Sequence, residues 1–313
     1  MHFKIVYGNH YNFGLSVSHT LMMLKHGLED LGHRADIEKD LQPGFVNILI
    51  ENFTNDYIAT LEEQWTPDTR LIVIGTEIVT DGTFNNFSTD SGDTGHPWDR
   101  RLDNYRNRPV LNERFRNFLS LAPRMDAVWH LAFQQVEPFK AHLPDTVVNY
   151  VAHGYTDRCA TVRQLPDSEK DIDVFYSGSM TRYRAAILEE LENAGFKMGV
   201  THQMTAPFHR DDLVARSKLA INIRQDESWP YESNSRLYYH IVNDSVVLTE
   251  ACPDSSDLHD YAPEISGSVV DFVAAQLALG DFTDRAVAQR ERLAKARPMA
   301  GVLAPLLAEI GID

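Results

Sequence analysis

Short apolar runs alternate with amphipathic segments along the first half of the chain. Phe3–Tyr7, Val46–Ile50 and Arg70–Gly75 are apolar runs of the kind that form strands buried on both faces of a sheet. Between the first two, leucines recur at helical spacing until Gly32, a residue that commonly ends a helix. Further strands are predicted over 34–38, 126–130 and 146–152. Strands separated by helices indicate a parallel sheet with right-handed crossovers.

The same pattern begins again near residue 171. A strand is predicted at Asp173–Tyr176, followed by a tight turn at Gly178 and an amphipathic helix over 182–194. Later strands are predicted at 196–200, 218–223 and 245–250, and later helices at 209–217, 235–242, 285–296 and 302–310. We therefore predict two Rossmann-like, doubly wound α/β domains facing a cleft. They span 1–156 and 171–313, with a polar linker at 157–170, and the last helix is expected to pack back on the first domain.

Composition agrees with this organisation and excludes several classes of protein. A chain of 313 residues suits two domains, and its net charge of −16 argues against a nucleic-acid partner. Cys159 and Cys252 fit no metal or redox spacing. The chain shows no secretory signal and no apolar stretch of about 18 residues. We therefore expect a cytoplasmic protein without a membrane span, and assembly into a homo-oligomer stays open.

A long polar insert, Thr80–Asn107, interrupts the alternation of strands and helices. It contains the aromatic residues Phe84, Phe87, Trp98 and Tyr105. Inserts of this length in a compact domain are usually functional or disordered, and the aromatic residues argue against complete disorder. We interpret it as a loop that lines or closes the cleft, with a surface or oligomer contact as the alternative. Trp98 and Gly14, which ends the turn after the first strand, are candidates for the acceptor side.

The turn after the first strand of the second domain has features of a phosphate site. A glycine lets the backbone approach a phosphate, and the start of the following helix offers free N–H groups. The candidates are Gly178, Ser179, Met180 and Arg182, with Arg184 close behind. No G-x-G-x-x-G or Walker A motif is present, which disfavours a Rossmann-type oxidoreductase without removing it as an alternative.

A second group of polar residues follows the strand at 218–223. Ligands of open α/β sheets bind beyond the carboxyl ends of strands, where this segment must lie. Its candidates for binding a charged ligand are Arg224, Glu232, Asn234, Ser235 and Arg236.

The run from Ser235 to Glu250 resembles the signature of GT-B glycosyltransferases, in particular the bacterial spore-maturation-protein-like family. Arg236 matches the Arg of that signature, Tyr238 its Phe, and Leu248 with Thr249 the end of its apolar strand. The resemblance covers roughly residues 170–252. It implies a GT-B-like fold and a hexosyltransferase-like enzyme. The second domain would bind a nucleotide-sugar donor, without metal or cofactor, and the first domain a small-molecule, glycan or protein acceptor.

Two positions depart from the family pattern. Tyr239 stands where the family has the Glu that is expected to hold the donor ribose, and Asp244 stands where it has Gly. Tyr239 stays among the candidate donor-binding residues, and Glu232 or Glu250 are alternatives for the missing carboxylate. A non-catalytic relative that binds a nucleotide or a sugar is therefore the second hypothesis.

Candidates for a catalytic base lie on the first domain. His10, His130 and His153 each stand at the predicted carboxyl end of a strand, and Glu77 follows the fourth strand. A group with a pKa near 7 would suit activation of a sugar hydroxyl. Asp171 and Asp173 form a D-x-D pair like that of metal-dependent glycosyltransferases. They precede a strand, at the wrong end of the sheet, and we predict no metal site there.

Overall fold

The computed structural model describes residues 1–9, 14–85, 108–202 and 205–312. Contacts divide these residues into two compact units. The first comprises the described residues up to 154 together with 298–312, and the second those of 155–297.

The first unit is built on a parallel sheet of six strands in the order β2-β1-β3-β4-β7-β8. Its strands are β1 (His2–Val6), β2 (Arg34–Glu38), β3 (Val46–Ile50), β4 (Arg70–Gly75), β7 (Ala127–His130) and β8 (Val147–Tyr150). Its helices include α1 (Ser18–Asp30), α2 (Asn55–Gln64), α3 (Arg108–Leu121) and α4 (Val136–His142). A short antiparallel pair, β5 (Val79–Thr80) and β6 (Thr83–Phe84), follows β4.

The second unit is built on a parallel sheet of five strands in the order β10-β9-β11-β12-β13. Its strands are β9 (Ile172–Ser177), β10 (Met198–Thr201), β11 (Ser217–Asn222), β12 (Val247–Glu250) and β13 (Glu264–Ile265). Its helices include α5 (Arg182–Asn193), α6 (Pro207–Ala215), α7 (Asn234–Val242), α8 (Val269–Ala278) and α9 (Phe282–Ala296).

Both sheets are doubly wound, and the prediction of two Rossmann-like α/β domains is confirmed. In each sheet the first strand lies between the second and the third, so the chain reverses direction across the sheet at that point. This reversal lies between β1 and β3 in the first unit and between β9 and β11 in the second. In open α/β sheets ligands bind outside the carboxyl ends of the strands at such a point.

Aromatic side chains fill much of the core of the first unit. Phe53, Phe84, Phe118 and Phe139 are fully buried and contact one another. Phe84 was predicted to belong to the polar insert, and the structure instead makes it part of the core. The rest of that insert, including Phe87, Trp98 and Tyr105, lies outside the described residues.

Helix α10 (Met299–Glu309) belongs to the first unit although it follows the second unit in sequence. It packs on α1 at Gly27, where a Cβ atom would lie 2.4 Å from Met299 Cγ and 2.9 Å from Leu303 Cδ1. Arg70 Nη2 donates to the carbonyl oxygen of Ile310, just beyond the helix, at 3.1 Å.

The segment 157–170, predicted as a linker, belongs to the second unit. Asn243 Oδ1 accepts hydrogen bonds from the backbone N–H groups of Thr161 and Val162, at 2.7 and 2.9 Å. No helix in the described parts of the chain is long and apolar enough to cross a membrane.

Candidate functional site

The turn after β9 holds a glycine that a larger residue could not replace without displacing an arginine. Gly178 has a φ of 147°. A Cβ atom there would lie 2.5 Å from Arg236 Nη2 and 2.9 Å from the hydroxyl oxygen of Tyr176. Because glycine lacks a Cβ and tolerates positive φ, it lets the Arg236 side chain come this close to the turn.

Arg236 lies in the first turn of α7 and reaches back to the ends of β9 and β11. Its Nε donates to the carbonyl oxygen of Ser177 at 2.8 Å, and its Nη1 donates to Asn222 Oδ1 at 2.6 Å. The guanidinium lies 5.0 Å from the centre of the Tyr176 ring, within the range of a cation–π contact. Burial lowers the pKa of Arg236 to about 10, so the side chain is still charged at neutral pH.

Arg184 brings a second guanidinium to the same place. It is 6% exposed, and it donates to the carbonyl oxygens of Ser179, Ile223 and Arg224 at 2.9, 3.1 and 2.9 Å. Among the described residues, neither Arg184 nor Arg236 forms an ion pair with a carboxylate. Desolvated charges that only neutral groups compensate favour a bound anion.

The starts of α5 and α7 lie at this edge as well. Thr181 Oγ1 accepts from the backbone N–H of Arg184 at 3.2 Å and caps α5, and Ser233 Oγ caps α7 by accepting from the N–H of Arg236 at 3.4 Å. The positive ends of two helix dipoles thus add to the two guanidiniums. Together they form a candidate site for a phosphate or diphosphate, which we call the arginine pocket (Gly178, Arg184 and Arg236).

The other predicted phosphate ligands lie around the arginine pocket in different ways. Ser179 directs its carbonyl oxygen toward Arg184, and the Met180 side chain packs partly buried against the apolar core. Arg182 is exposed, whereas Arg184, two residues further along the helix, points inward. Asn234 and Ser235 are half-buried in the first turn of α7.

Arg224 and Glu250 form an ion pair of their own. Arg224 Nη2 lies 3.1 Å from Glu250 Oε1, and Glu250 Oε2 accepts from the backbone N–H of Arg224 at 2.9 Å. The hydroxyl of Tyr183 also donates to Glu250. This arrangement favours a structural role for Arg224 and gives the Glu250 carboxylate internal partners.

Glu232 is buried and held by four hydrogen-bond contacts. Its Oε1 accepts from the backbone N–H and the hydroxyl of Ser256 at 2.8 and 2.6 Å. Its Oε2 accepts from Thr249 Oγ1 at 2.9 Å and lies 2.8 Å from His259 Nδ1. A carboxylate with both oxygens occupied in this way is poorly suited to bind a ribose directly.

Tyr239, predicted from the sequence to depart from the pattern of the resembled family, contacts residues of α6. Its hydroxyl donates to Asp211 Oδ1 at 2.6 Å, and the guanidinium of Arg210 lies 4.4 Å from its ring centre. Burial raises the pKa of Tyr239, so the hydroxyl stays protonated.

Asp244, the second predicted departure, has a positive φ, which glycine adopts more readily than other residues. Its φ is 51°, in the left-handed region that aspartate tolerates better than most residues. Asp244 Oδ1 accepts from Arg290 Nε of α9 at 2.8 Å. This ion pair offsets part of the conformational cost.

His130, a predicted base, is enclosed in the first unit. Its Nε2 donates to the carbonyl oxygen of Glu77 at 2.9 Å, and its Nδ1 accepts from the N–H of Ala132 at 2.9 Å. Burial lowers the pKa of His130 to about 4. With both nitrogens occupied and the neutral form favoured, the geometry supports a structural role.

Glu77 belongs to a buried cluster with Arg114 and Glu51. Arg114 Nη2 lies 2.6 Å from Glu77 Oε1 and 2.9 Å from Glu51 Oε2. Burial raises the pKa of Glu51 to about 7, and the Arg114 charge opposes that rise. Sequence reasoning missed Glu51 and Arg114. One signal was available for Glu51. It directly follows β3, Glu77 follows β4 closely, and β3 and β4 are neighbours in the sheet, so the two carboxylates should lie close together.

Of the remaining candidates on the first domain, His153 and Gly14 lie within the described residues. His153 follows β8 and is fully buried. Gly14 has a φ of 77°. His10 and Trp98 lie outside the described residues.

The D-x-D carboxylates form ion pairs at the amino ends of their strands. Asp171 Oδ2 lies 2.7 Å from Arg216 Nη2, and Asp173 Oδ1 lies 2.7 Å from Lys218 Nζ. They are thus at the opposite edge of the sheet from the arginine pocket.

Comparison with known proteins gives a likeness in fold and not in sequence. No protein-family model matches the chain, and no curated protein matches it. TarM matches with a TM-score of 0.53 and 10% identity over 94% of this chain, which spans 58% of TarM. AviGT4, a glycosyltransferase involved in avilamycin A biosynthesis, also gives a TM-score of 0.53 at 10% identity, over 99% of this chain and 97% of AviGT4.

The chain has a GT-B-like fold. An S. aureus TarM variant in complex with fondaparinux, α-GlcNAc-glycerol and UDP matches with a TM-score of 0.51 at 10% identity, over 94% of this chain and 59% of that one. The resemblance to the spore-maturation-protein-like family, which no family model supports, stays a prediction.

Proposed function

We propose that the protein is a glycosyltransferase that uses a nucleoside-diphosphate sugar as donor, with the donor diphosphate bound in the arginine pocket. The observation that carries this proposal is the pair of guanidiniums of Arg184 and Arg236. They meet where the strand order reverses, and among the described residues they contact carbonyl and amide oxygens and the ring of Tyr176, with no carboxylate ion pair.

The chemistry of sugar transfer suits such a site. When the bond between sugar and diphosphate breaks, negative charge develops on the leaving nucleotide. Fixed cations and helix N-termini stabilise that charge without reorganising. Arginine can thereby take the electrostatic role that a divalent metal has in other enzymes. We therefore also propose that sugar transfer persists in the presence of EDTA.

The fold comparisons support the same class. AviGT4 is a glycosyltransferase, and one of the TarM structures contains UDP. UDP is therefore the first nucleotide to test, followed by GDP, ADP and dTDP.

The deciding experiment is UDP binding by calorimetry to the wild type, Arg236→Ala and Arg216→Ala. Loss of Arg236 should weaken binding by about 1.5–3 kcal/mol, the range for a charged hydrogen bond, or roughly 10–150-fold in Kd. Arg216→Ala is the matched control, because it removes the same charge at the amino edge of the second sheet. Equal affinities of all three folded proteins, or no nucleotide binding at all, would overturn the proposal.

A binding protein without turnover is the second candidate. It is favoured by Tyr239, whose hydroxyl is bonded to Asp211 at the position where the family has a ribose-binding carboxylate. The two functions separate in one assay with a UDP-sugar panel. Binding with release of UDP supports the transferase, whereas binding of UDP without any turnover supports the second candidate.

A further inference from the structure

A chain of hydrogen bonds leads from the arginine pocket into the interior of the second unit. Arg236 Nη1 donates to Asn222 Oδ1 at 2.6 Å, and Asn222 Nδ2 donates to Thr249 Oγ1 at 3.3 Å. Thr249 Oγ1 in turn donates to Glu232 Oε2 at 2.9 Å. Each group donates in the same direction, so the chain begins at a cation and ends at an anion without reversal.

The middle of this chain is buried. Asn222 is 1% exposed and Thr249 is fully buried, and they lie at the ends of the neighbouring strands β11 and β12. In such surroundings hydrogen bonds polarise one another and charges are weakly screened. Glu232 is therefore linked to Arg236 through two buried side chains, Asn222 and Thr249.

The far end of the chain is fixed. Ser256 donates twice to Glu232 Oε1, and His259 Nδ1 contacts Oε2. The carboxylate thus cannot turn away from Thr249 without losing other bonds. A network with only a structural role would satisfy Glu232 equally well. Substitutions in such a network would not change ligand affinity in a way that depends on Arg236.

We propose that Glu232 and Thr249 are positioning residues that hold the Arg236 guanidinium in the orientation that binds the donor diphosphate. This inference rests on the proposed function, and it differs from the direct ribose contact predicted for Glu232 from the sequence. Nη1 is directed at Asn222 and Nε at Ser177, so the remaining nitrogen, Nη2, is the one presented beside Gly178. An arginine fixed before the ligand arrives binds it with less loss of conformational freedom.

The test is a double-mutant cycle on UDP affinity. Thr249→Val keeps the shape of the side chain and removes the hydroxyl, and Thr249→Ser keeps the hydroxyl as the matched control. Each is measured by calorimetry in the wild-type and Arg236→Ala backgrounds. Thr249→Val should raise the Kd by about 3–10-fold, the range for one hydrogen bond, when Arg236 is present. In the Arg236→Ala background it should change the Kd by less than about twofold. The Kd of Thr249→Ser for UDP should stay within about twofold of the parent value in both backgrounds.

Thermal melting confirms that each variant is folded at the temperature of the titration. If Thr249→Val does not fold, Glu232→Gln takes its place, since it keeps the shape and removes the charge at the end of the chain. An equal loss of affinity in both backgrounds would overturn the positioning role alone. Absence of UDP binding by the wild type would overturn the proposed function, and this inference with it.

Discussion

We expect the buried Glu51 to make the stability of the first unit depend on pH. Glu51 is 1% exposed, and Arg114 Nη2 approaches both Glu51 and Glu77. Burial raises the pKa of Glu51 from its ordinary 4.5 to about 7 in the folded protein. Between these values the folded state binds a proton that the unfolded state has released. Glu51 therefore contributes stability that is fully present below pH 4.5 and is lost as the pH rises through 7.

Each pKa unit corresponds to about 1.36 kcal/mol, so the full effect is about 3 kcal/mol, of which about 2–3 kcal/mol falls between pH 5 and pH 8. Glu51→Gln carries no charge at any pH and can still accept a hydrogen bond from Arg114. Relative to the wild type, the variant should gain about 2–3 kcal/mol in free energy of unfolding between pH 5 and pH 8.

Urea unfolding at pH 5, 6.5 and 8, followed by circular dichroism, measures this difference. Glu62→Gln on α2 is the matched control, because it makes the same substitution at an exposed position of the same unit. A constant difference between Glu51→Gln and the wild type across the three pH values would refute the reasoning. It would mean that Arg114 keeps Glu51 ionised in the folded protein throughout.

Two further predictions concern backbone positions of the second unit. Gly178→Ala should weaken UDP binding by about tenfold in calorimetry. The added Cβ would displace Arg236 Nη2, and alanine would be strained at the φ of 147° that this position has. Unchanged affinity would show that Arg236 does not need this turn. Asp244→Ala should lower the free energy of unfolding by about 1–2 kcal/mol, and Asp244→Gly by less, because glycine adopts a positive φ without strain. Urea unfolding of both variants checks this, and an equal loss would assign the whole cost to the ion pair with Arg290.

The fold was predictable because its signals are local. The residues of Val46–Ile50 are all buried, and those of Arg70–Gly75 nearly so, as continuous apolar runs indicate for central parallel strands. Gly178 and Arg236 were predicted as site candidates from a turn and a short motif, and the structure brings them next to each other.

The arrangement of the site was less predictable, because it depends on which way side chains face and on distant partners. Arg184 shares a helix face with the buried Leu188 and Leu191, at a spacing of four and seven residues, whereas Arg182 does not. That periodicity was available and would have selected Arg184. In contrast, no local pattern joins Glu51 to Arg114, 63 residues away, or Glu232 to Thr249.

The place of α10 in the first unit has a consequence for how the chain is made. At synthesis rates of about 5–20 residues per second, the first unit waits roughly 7–30 s after Gly154 before Met299 is added. During that time the face of α1 around Gly27 lacks its covering helix, so a newly made chain exposes an apolar surface that a folding chaperone could shield. A chain that stops before Met299 keeps that surface permanently. Truncated products should therefore aggregate or be degraded even though every residue of the second unit is present.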